Sequence, residues 1–346
     1  MTTSAHRTWF ITGCTSGFGE ALVRKLLAEG DNVIATGRGG AEARLAHLRD
    51  STTAARFRII ELDVGAASEA EVRTQVAEAW GYFEGGVDVV VNNAGYIVSG
   101  LVEELTQEEM EASFKTNFHG PLNITRAFLP MMRERGTGTL VYISSQAAWH
   151  VEVGAGAYSA SKFALEGLCF VFLFANSITY TLYTLNISLV FLSLKKRKRK
   201  ADPATLNPPK GAVETLSKEL SVLAPNIKVI IIEPGFFRTK VFNKISNVPA
   251  RIPEFAEFNA AIRAGAEALP GTELGDPEKA VARIAELVRG DGMAKDGGGD
   301  GDGGGGREVP LRVALGSDGW ERIRAKCVGV LEGLRAWEDV ARSTDL

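Results

Sequence analysis

Short apolar runs alternate with amphipathic helical stripes through most of this chain, and that alternation restricts the fold more than any other feature. Seven runs read as strands: Thr8–Thr12, Asn32–Thr36, Arg56–Leu62, Val87–Val91, Thr139–Ile143, Ile227–Glu233 and Leu311–Leu315. Leu22, Val23, Leu26 and Leu27 line one face of a helix that Gly30 ends. Helical patterns follow at 41–49 and 68–83. A longer helix runs from Thr106 toward Arg135, with a bend expected near Pro121, and Trp320–Val340 predicts a closing helix. Strands that are apolar on both sides need helices on both sides. The expectation is an α/β domain built on one doubly wound parallel sheet of about seven strands.

The 346 residues suffice for one large domain or two ordinary ones, with a substantial core. A formal net charge of −3 gives no pull toward nucleic acid or an anionic membrane. Cys14, Cys169 and Cys327 are odd in number and far apart, which suits a reduced compartment and makes neither a disulfide framework nor a metal site. Met1 to Arg7 is polar and lacks the features of a signal peptide, so a cytoplasmic location is expected.

Two segments break the alternation. Lys295 to Gly306 is almost all Gly and Asp and reads as a disordered surface loop (295–306). Cys169 to Leu194 carries no charged residue and is followed by the basic run Lys195–Lys200, the pattern of a membrane span with a positive flank. Its position argues against that. Excising Cys169–Ala212 brings Leu165, Leu168, Leu216 and Leu220 into steps of 3, 4 and 4, a continuous helical stripe. The segment therefore reads as foreign to a single domain made of 1–168 and 213–346. A translated intron is the favoured explanation, with an extruded loop, a membrane hairpin and a nuclear signal in the basic run as the others.

The first strand runs into Thr12-Gly13-Cys14-Thr15-Ser16-Gly17-Phe18-Gly19, and a helix follows. Glycines at such a turn let the backbone approach a ligand, and the helix N-terminus holds a pyrophosphate. No Gly-Lys-Ser/Thr follows, which excludes a P-loop. Sites for NAD place an acid at the end of the second strand. Here Thr36-Gly37-Arg38 stands instead, and a guanidinium without an acid favours a 2′-phosphate, hence NADP(H) over NAD(H). A solvated surface charge is the other reading of Arg38.

Tyr158 and Lys162, four positions apart, share a helix face. An ammonium beside a phenol lowers the tyrosine pKa from about 10 and suits it to general acid/base work. An exposed amphipathic pair is the plainer reading of the same spacing.

Taken in order, these residues resemble the short-chain dehydrogenases/reductases, single-domain oxidoreductases with a Rossmann-type fold. The matching pieces are Thr12-Gly13-x3-Gly17-x-Gly19, Leu62-Asp63-Val64, Asn92-Asn93-Ala94-Gly95, Asn117, Ser145, Tyr158-x3-Lys162 and Pro234-Gly235-x3-Thr239. The resemblance implies Tyr158 as the acid/base, Lys162 as its pKa-lowering partner and ribose holder, and Ser145 as the carbonyl-orienting hydroxyl. It implies Asn117 as the holder of a relay water. Gly13, Ser16, Gly17, Phe18 and Gly19 would lie against the pyrophosphate, Asp63 against the adenine, and Asn93 and Gly95 along the adenosine side. Pro234, Gly235 and Thr239 would grip the carboxamide. Tyr96, Val98, Gln146, Trp149, Val153, Phe236 and Phe237 are expected to face a hydrophobic ketone or secondary alcohol. The family pattern implies a homodimer or homotetramer if 169–212 is absent, formed through the Thr106–Arg135 helix. A catalytically silent dinucleotide-binding protein and an oxidoreductase tethered by 169–194 are the alternatives.

Overall fold

The computed structural model describes residues 6–166, 217, 220–221, 223–295 and 309–345. The segment Cys169–Ala212 and almost all of the 295–306 loop lie outside them. Among the described residues nine strands are assigned: β1 (Thr8–Ile11), β2 (Asn32–Gly37), β3 (Phe57–Glu61), β4 (Val89–Asn92), β5 (Val98–Ser99), β6 (Gly138–Ile143), β7 (Ile227–Pro234), β8 (Ser246–Asn247) and β9 (Arg312–Leu315). Seven form one sheet in the order β3-β2-β1-β4-β6-β7-β9, every pair parallel. The expected doubly wound sheet is what the chain forms, with each expected strand displaced by two residues or fewer at its ends.

The helices are α1 (Gly17–Ala28), α2 (Ala41–Leu45), α3 (Glu69–Trp80), α4 (Gln107–Phe114), α5 (Gly120–Arg135), α6 (Gly156–Glu166), α7 (Ala256–Glu267), α8 (Pro277–Arg289), α9 (Gly292–Lys295), α10 (Ser317–Ala336) and α11 (Glu338–Arg342). Alternate strand residues face opposite sides. Trp9, Ile11, Val33, Val91, Val141 and Ile232 pack with Leu22 and Leu26 of α1 and Val281 and Ile284 of α8. Phe10, Ile34, Val90, Leu140, Tyr142 and Ile231 pack with Val72 and Val76 of α3 and Ile124, Phe128 and Met132 of α5. A one-residue slip in any strand would exchange these two sets. Leu165 and Leu220 belong to the second cluster.

No element is read from the sequence between Thr239 and Lys295, yet α7, α8, α9 and β8 lie there. Strand β8 pairs with β5 in a two-stranded ribbon outside the main sheet. Among the described residues, no helix is long and apolar enough to cross a membrane.

Strand order reverses between β1 and β4, so the crevice at their C-terminal ends is where an open α/β sheet receives a ligand. The functional loops converge there.

Candidate active site

A cleft of about 1210 Å³ opens over the C-terminal ends of β1, β4, β6 and β7. Gly13, Ser16, Gly17 and Phe18 form one wall. Gly13 (φ +70°) and Gly17 (φ +61°) adopt left-handed backbone that other residues rarely accept. A Cβ on Gly13 would come within 2.8 Å of Ala94 Cα. Gly19 does not line the cleft. It packs against the Gly13 carbonyl, and a Cβ there would sit 2.7 Å from Asn93 Nδ2. The N-cap residue of α1, Ser16, makes no side-chain cap, so the first-turn N–H groups of α1 are left for a ligand.

Asn93 and Thr12 hold the glycine loop in place. Asn93 Nδ2 donates to Thr12 O (2.8 Å) and Gly13 O (3.1 Å), while Thr12 Oγ1 accepts from the Asn93 and Ala94 amides at 3.0 Å. Asn93 thus lines the cleft with its amide nitrogen committed to the loop. Asp63 and Arg38 sit together at the far end, with Arg38 Nη1 3.5 Å from Asp63 Oδ2 and two-thirds of the Arg38 side chain exposed. Asp63 Oδ1 also accepts from the Gly65 amide. The guanidinium expected to stand alone has a carboxylate beside it. A second one, Arg44, reaches the same wall and donates to Thr15 O at 3.2 Å.

Helix α6 carries Tyr158 and Lys162 one turn apart, and both line the cleft with Ser145 and Gly95. Lys162 Nζ lies 5.8 Å from the Tyr158 ring centre and donates to Ile143 O at 2.8 Å. Burial pushes the Tyr158 pKa up, and the Ser145 hydroxyl draws it back. Lys162 itself is pushed down to about 8 by burial, with Glu166 opposing. The sequence expectation of a net lowering at Tyr158 is therefore corrected. The phenol is buried, and the ammonium is turned to a carbonyl.

Asn117 is buried behind the cleft and does not line it. Its Oδ1 accepts from the Tyr96 amide (3.1 Å), and Nδ2 donates to Tyr96 O and Ser161 Oγ, both at 3.0 Å. It sits in a π-helical turn, Lys115–His119, that separates α4 from α5. Helical backbone runs on through this turn from α4 into α5, as the sequence reading expects, and the turn widens here for a physical reason. Pro121 has no N–H for the carbonyl four residues earlier, and that residue is Asn117. A Cβ on Gly95 would lie 3.1 Å from Asn117 Oδ1 and 3.5 Å from Lys162 Nζ, which puts the two side chains on either side of one point.

Pro234, Gly235 and Thr239 line the fourth wall. Sequence reasoning missed Asp318, whose Oδ2 accepts from the Phe236 amide at 2.7 Å and whose carboxylate fills the space beside Gly235. An acid in the first turn of a helix is the sole sequence signal for it. Also missed was Lys244, which lines the cleft and donates to Ser16 Oγ at 3.3 Å from 228 positions away. Tyr96, Gln146, Val153, Phe236 and Phe237 line the cleft as expected, but Val98 and Trp149 do not. Val98 is buried against Ala157 and Val248, and Trp149 Nε1 donates to Glu233 at 2.8 Å. Among the described residues no cluster suits a metal ion.

The short chain dehydrogenase family model matches residues 7–174. Oxidoreductase calM of Penicillium decumbens is 38% identical over 171 residues, which cover 47% of this chain and 54% of that protein. Oxidoreductase claN of Passalora fulva is 37% identical over 161 residues, 46% of this chain and 71% of that one. The match spans about half the length of several curated relatives (53–54%). A short-chain dehydrogenase from Streptomyces avermitilis, solved by crystallography, superposes with a TM-score of 0.69 at 32% identity over 99% of this chain and 100% of the other.

Proposed function

The chain belongs to the short-chain dehydrogenase/reductase family, and from that premise we propose an NADP(H)-dependent oxidoreductase acting on hydrophobic ketones or the corresponding secondary alcohols. The observation that carries this reading is that Ser145, Tyr158 and Lys162 meet on one cleft with the glycine turn of α1. Residues fit a dinucleotide there: Gly13 and Gly17 adopt positive φ, α1 lacks a side-chain cap, and a lysine stands across from Ser16. Gly13, Ser16, Gly17 and Phe18 would hold the pyrophosphate, with Gly19 seating their loop from behind, and Asp63, Asn93 and Gly95 would lie on the adenosine side. Pro234, Gly235 and Thr239 would hold the carboxamide, with Asn117 supporting the proton path.

A bound nicotinamide dinucleotide supplies or accepts the hydride. Ser145 donates a hydrogen bond to the carbonyl oxygen as negative charge develops there. Tyr158 then gives its proton to that oxygen, and its upward-shifted pKa keeps it in the acid form needed for reduction. Lys162 carries its charge for most of the time at neutral pH, since its pKa of about 8 lies above it. The cleft wall of Tyr96, Val153, Phe236 and Phe237 favours an apolar substrate. Arg38, with Arg44 beside it, supports a 2′-phosphate and therefore NADP(H).

The test follows NADPH and NADH oxidation with phenanthrenequinone and a panel of hydrophobic ketones. We expect a preference for NADPH that Arg38→Ala erodes, and a loss of about 10²–10⁴-fold in turnover on Tyr158→Phe. A preference for NADH sinks the cofactor assignment, and undiminished turnover of Tyr158→Phe sinks the mechanism.

We also propose that Cys169–Ala212 is foreign to this fold. The described residues on either side support it: Leu165 and Leu220 are buried in the same hydrophobic cluster.

A further inference from the structure

The substrate side of the cleft carries charge that the reaction scheme leaves unused. Helix α10 packs its first turn against the exit of β7. Asp318 Oδ2 accepts from the Phe236 amide at 2.7 Å, and a Cβ on Gly319 would lie 2.8 Å from the Gly235 nitrogen. Arg322 stands one turn beyond Asp318 on the same helix face, which brings it to the cleft as well. Its guanidinium sits 4.9 Å over the Phe236 ring, and Nη1 pairs with Glu152 Oε1 from the loop before α6. The same Glu152 oxygen lies 3.6 Å from His150 Nε2. His150, Glu152, Phe236 and Arg322 all line the cleft that holds Ser145 and Tyr158.

Contact with an aromatic face holds a guanidinium while leaving its edge free to donate. Among the described residues, Nε and Nη2 of Arg322 have no hydrogen-bond partner. The side chains of Arg322 and Glu152 are 31% and 49% exposed, and an ion pair so open to water is weakly held and screened by salt. An anion in the cleft therefore meets unused donors in a planar fork, on a wall whose neighbours Val153, Phe236 and Phe237 are apolar. Glu152 competes for that fork and repels the same anion.

We propose that Arg322 determines specificity by taking the carboxylate of an apolar oxo acid whose ketone lies at Ser145 and Tyr158. The inference rests on the reading of this cleft as a site of carbonyl reduction, and it narrows the hydrophobic ketones to those that end in an acid. Glu152 sets how readily the guanidinium is released to the substrate. The signature is a pair of opposed effects. Arg322→Leu keeps an apolar contact for Phe236 but removes the fork, so acids lose relative to their neutral esters. Glu152→Gln keeps the size of the side chain and removes the competing charge, so acids gain. An ion pair with a merely structural role gives the same effect in both variants, because either substitution breaks it.

The experiment uses the full chain and a series of aryl oxo acids of increasing chain length, each paired with its methyl ester. One readout is kcat/KM for NADPH oxidation. The other is calorimetric binding of each acid and ester in the presence of NADP+. We expect a chain length at which the wild type favours acid over ester by about tenfold, a preference that shrinks as salt is raised. Arg322→Leu should make acid and ester equal, Arg322→Lys should keep part of the preference, and Glu152→Gln should widen it. The last two variants carry the comparison if Arg322→Leu does not fold. Acids and esters treated alike by the wild type at every length, a preference that survives Arg322→Leu, or one that Glu152→Gln narrows, overturns the proposal. A chain that reduces none of these carbonyls overturns the oxidoreductase reading instead, and binding of acid against ester still judges Arg322.

Discussion

A methyl group at Gly19 has nowhere to go. It would meet the Gly13 carbonyl and come within 2.7 Å of Asn93 Nδ2, and neither is the free end of a flexible chain, because Asn93 is tied to Thr12 and Gly13. Helix propensity alone favours Ala over Gly by about 1 kcal/mol. The overlap outweighs that gain. Gly19→Ala is expected to cost about 1–3 kcal/mol in urea unfolding and to weaken NADPH binding measured by nucleotide fluorescence. Gly265→Ala in α7 is the control: nothing lies within 4 Å of its added Cβ, and it should be neutral or stabilising by up to about 1 kcal/mol. At this scale the sequence exposes residues whose spacing carries meaning along one element, as with Tyr158 and Lys162. It hides Lys244 and Asp318, which matter through partners 228 and 82 positions away. It also misplaces Val98 and Trp149, because their direction depends on how a short ribbon and a loop pack.

Among elements, the segment from β8 into α7 closes one side of the cleft and is pinned by two acids, Glu104 and Glu109. Glu104 Oε1 accepts from the Arg251 and Ile252 amides at 2.8 and 2.9 Å, and Oε2 accepts from Asn259 Nδ2 at 2.7 Å. The Arg251 guanidinium crosses to Glu109 at 2.8 Å. The amide of Ile252 and the side chain of Asn259 hold the Glu104 pKa below the usual carboxylate value. Arg251 does the same for Glu109. Depressed carboxylates contribute stability that is complete above their unfolded pKa of about 4.3 and is lost as pH falls through the lower folded values. Amide exchange over 246–259 should therefore accelerate relative to the β1–β4 core between pH 5 and 3, about 2 pH units chosen to span that window. A uniform response of the two regions would refute it. The start of α4 at Thr106, where a capping box forms, is legible in the sequence, whereas the Asp276 cap and Pro277 that open α8 are not among the elements read from it. The Glu104 anchor is not legible either, since an acid amid Glu103, Glu104, Glu108 and Glu109 looks like one more solvated charge.

For the whole molecule, the sheet was readable because each central strand is apolar on both faces, and only helices on both sides satisfy that. The interruption at Cys169–Ala212 is the harder matter. Leu165 (1% exposed) and Leu220 (3%) both pack into the cluster that holds Phe128, Met132 and Tyr142, although the chain between them is long enough to separate them widely. Burial of both is what the uninterrupted leucine stripe demands. Lys162 and Glu166 lie within the last turn and a half of α6 as described, so the same stretch of chain governs the catalytic pair. A variant lacking 169–212 should therefore join one helix across the gap and bury the whole stripe. We expect it to remain in the supernatant on fractionation, to unfold at a higher temperature than the full chain, and to bind NADPH at least as tightly. The full chain, in contrast, should partition with membranes or aggregates through its uncharged run. Equal solubility and equal or tighter NADPH binding in the full-length protein would mean that the fold accommodates those residues and that they belong to it.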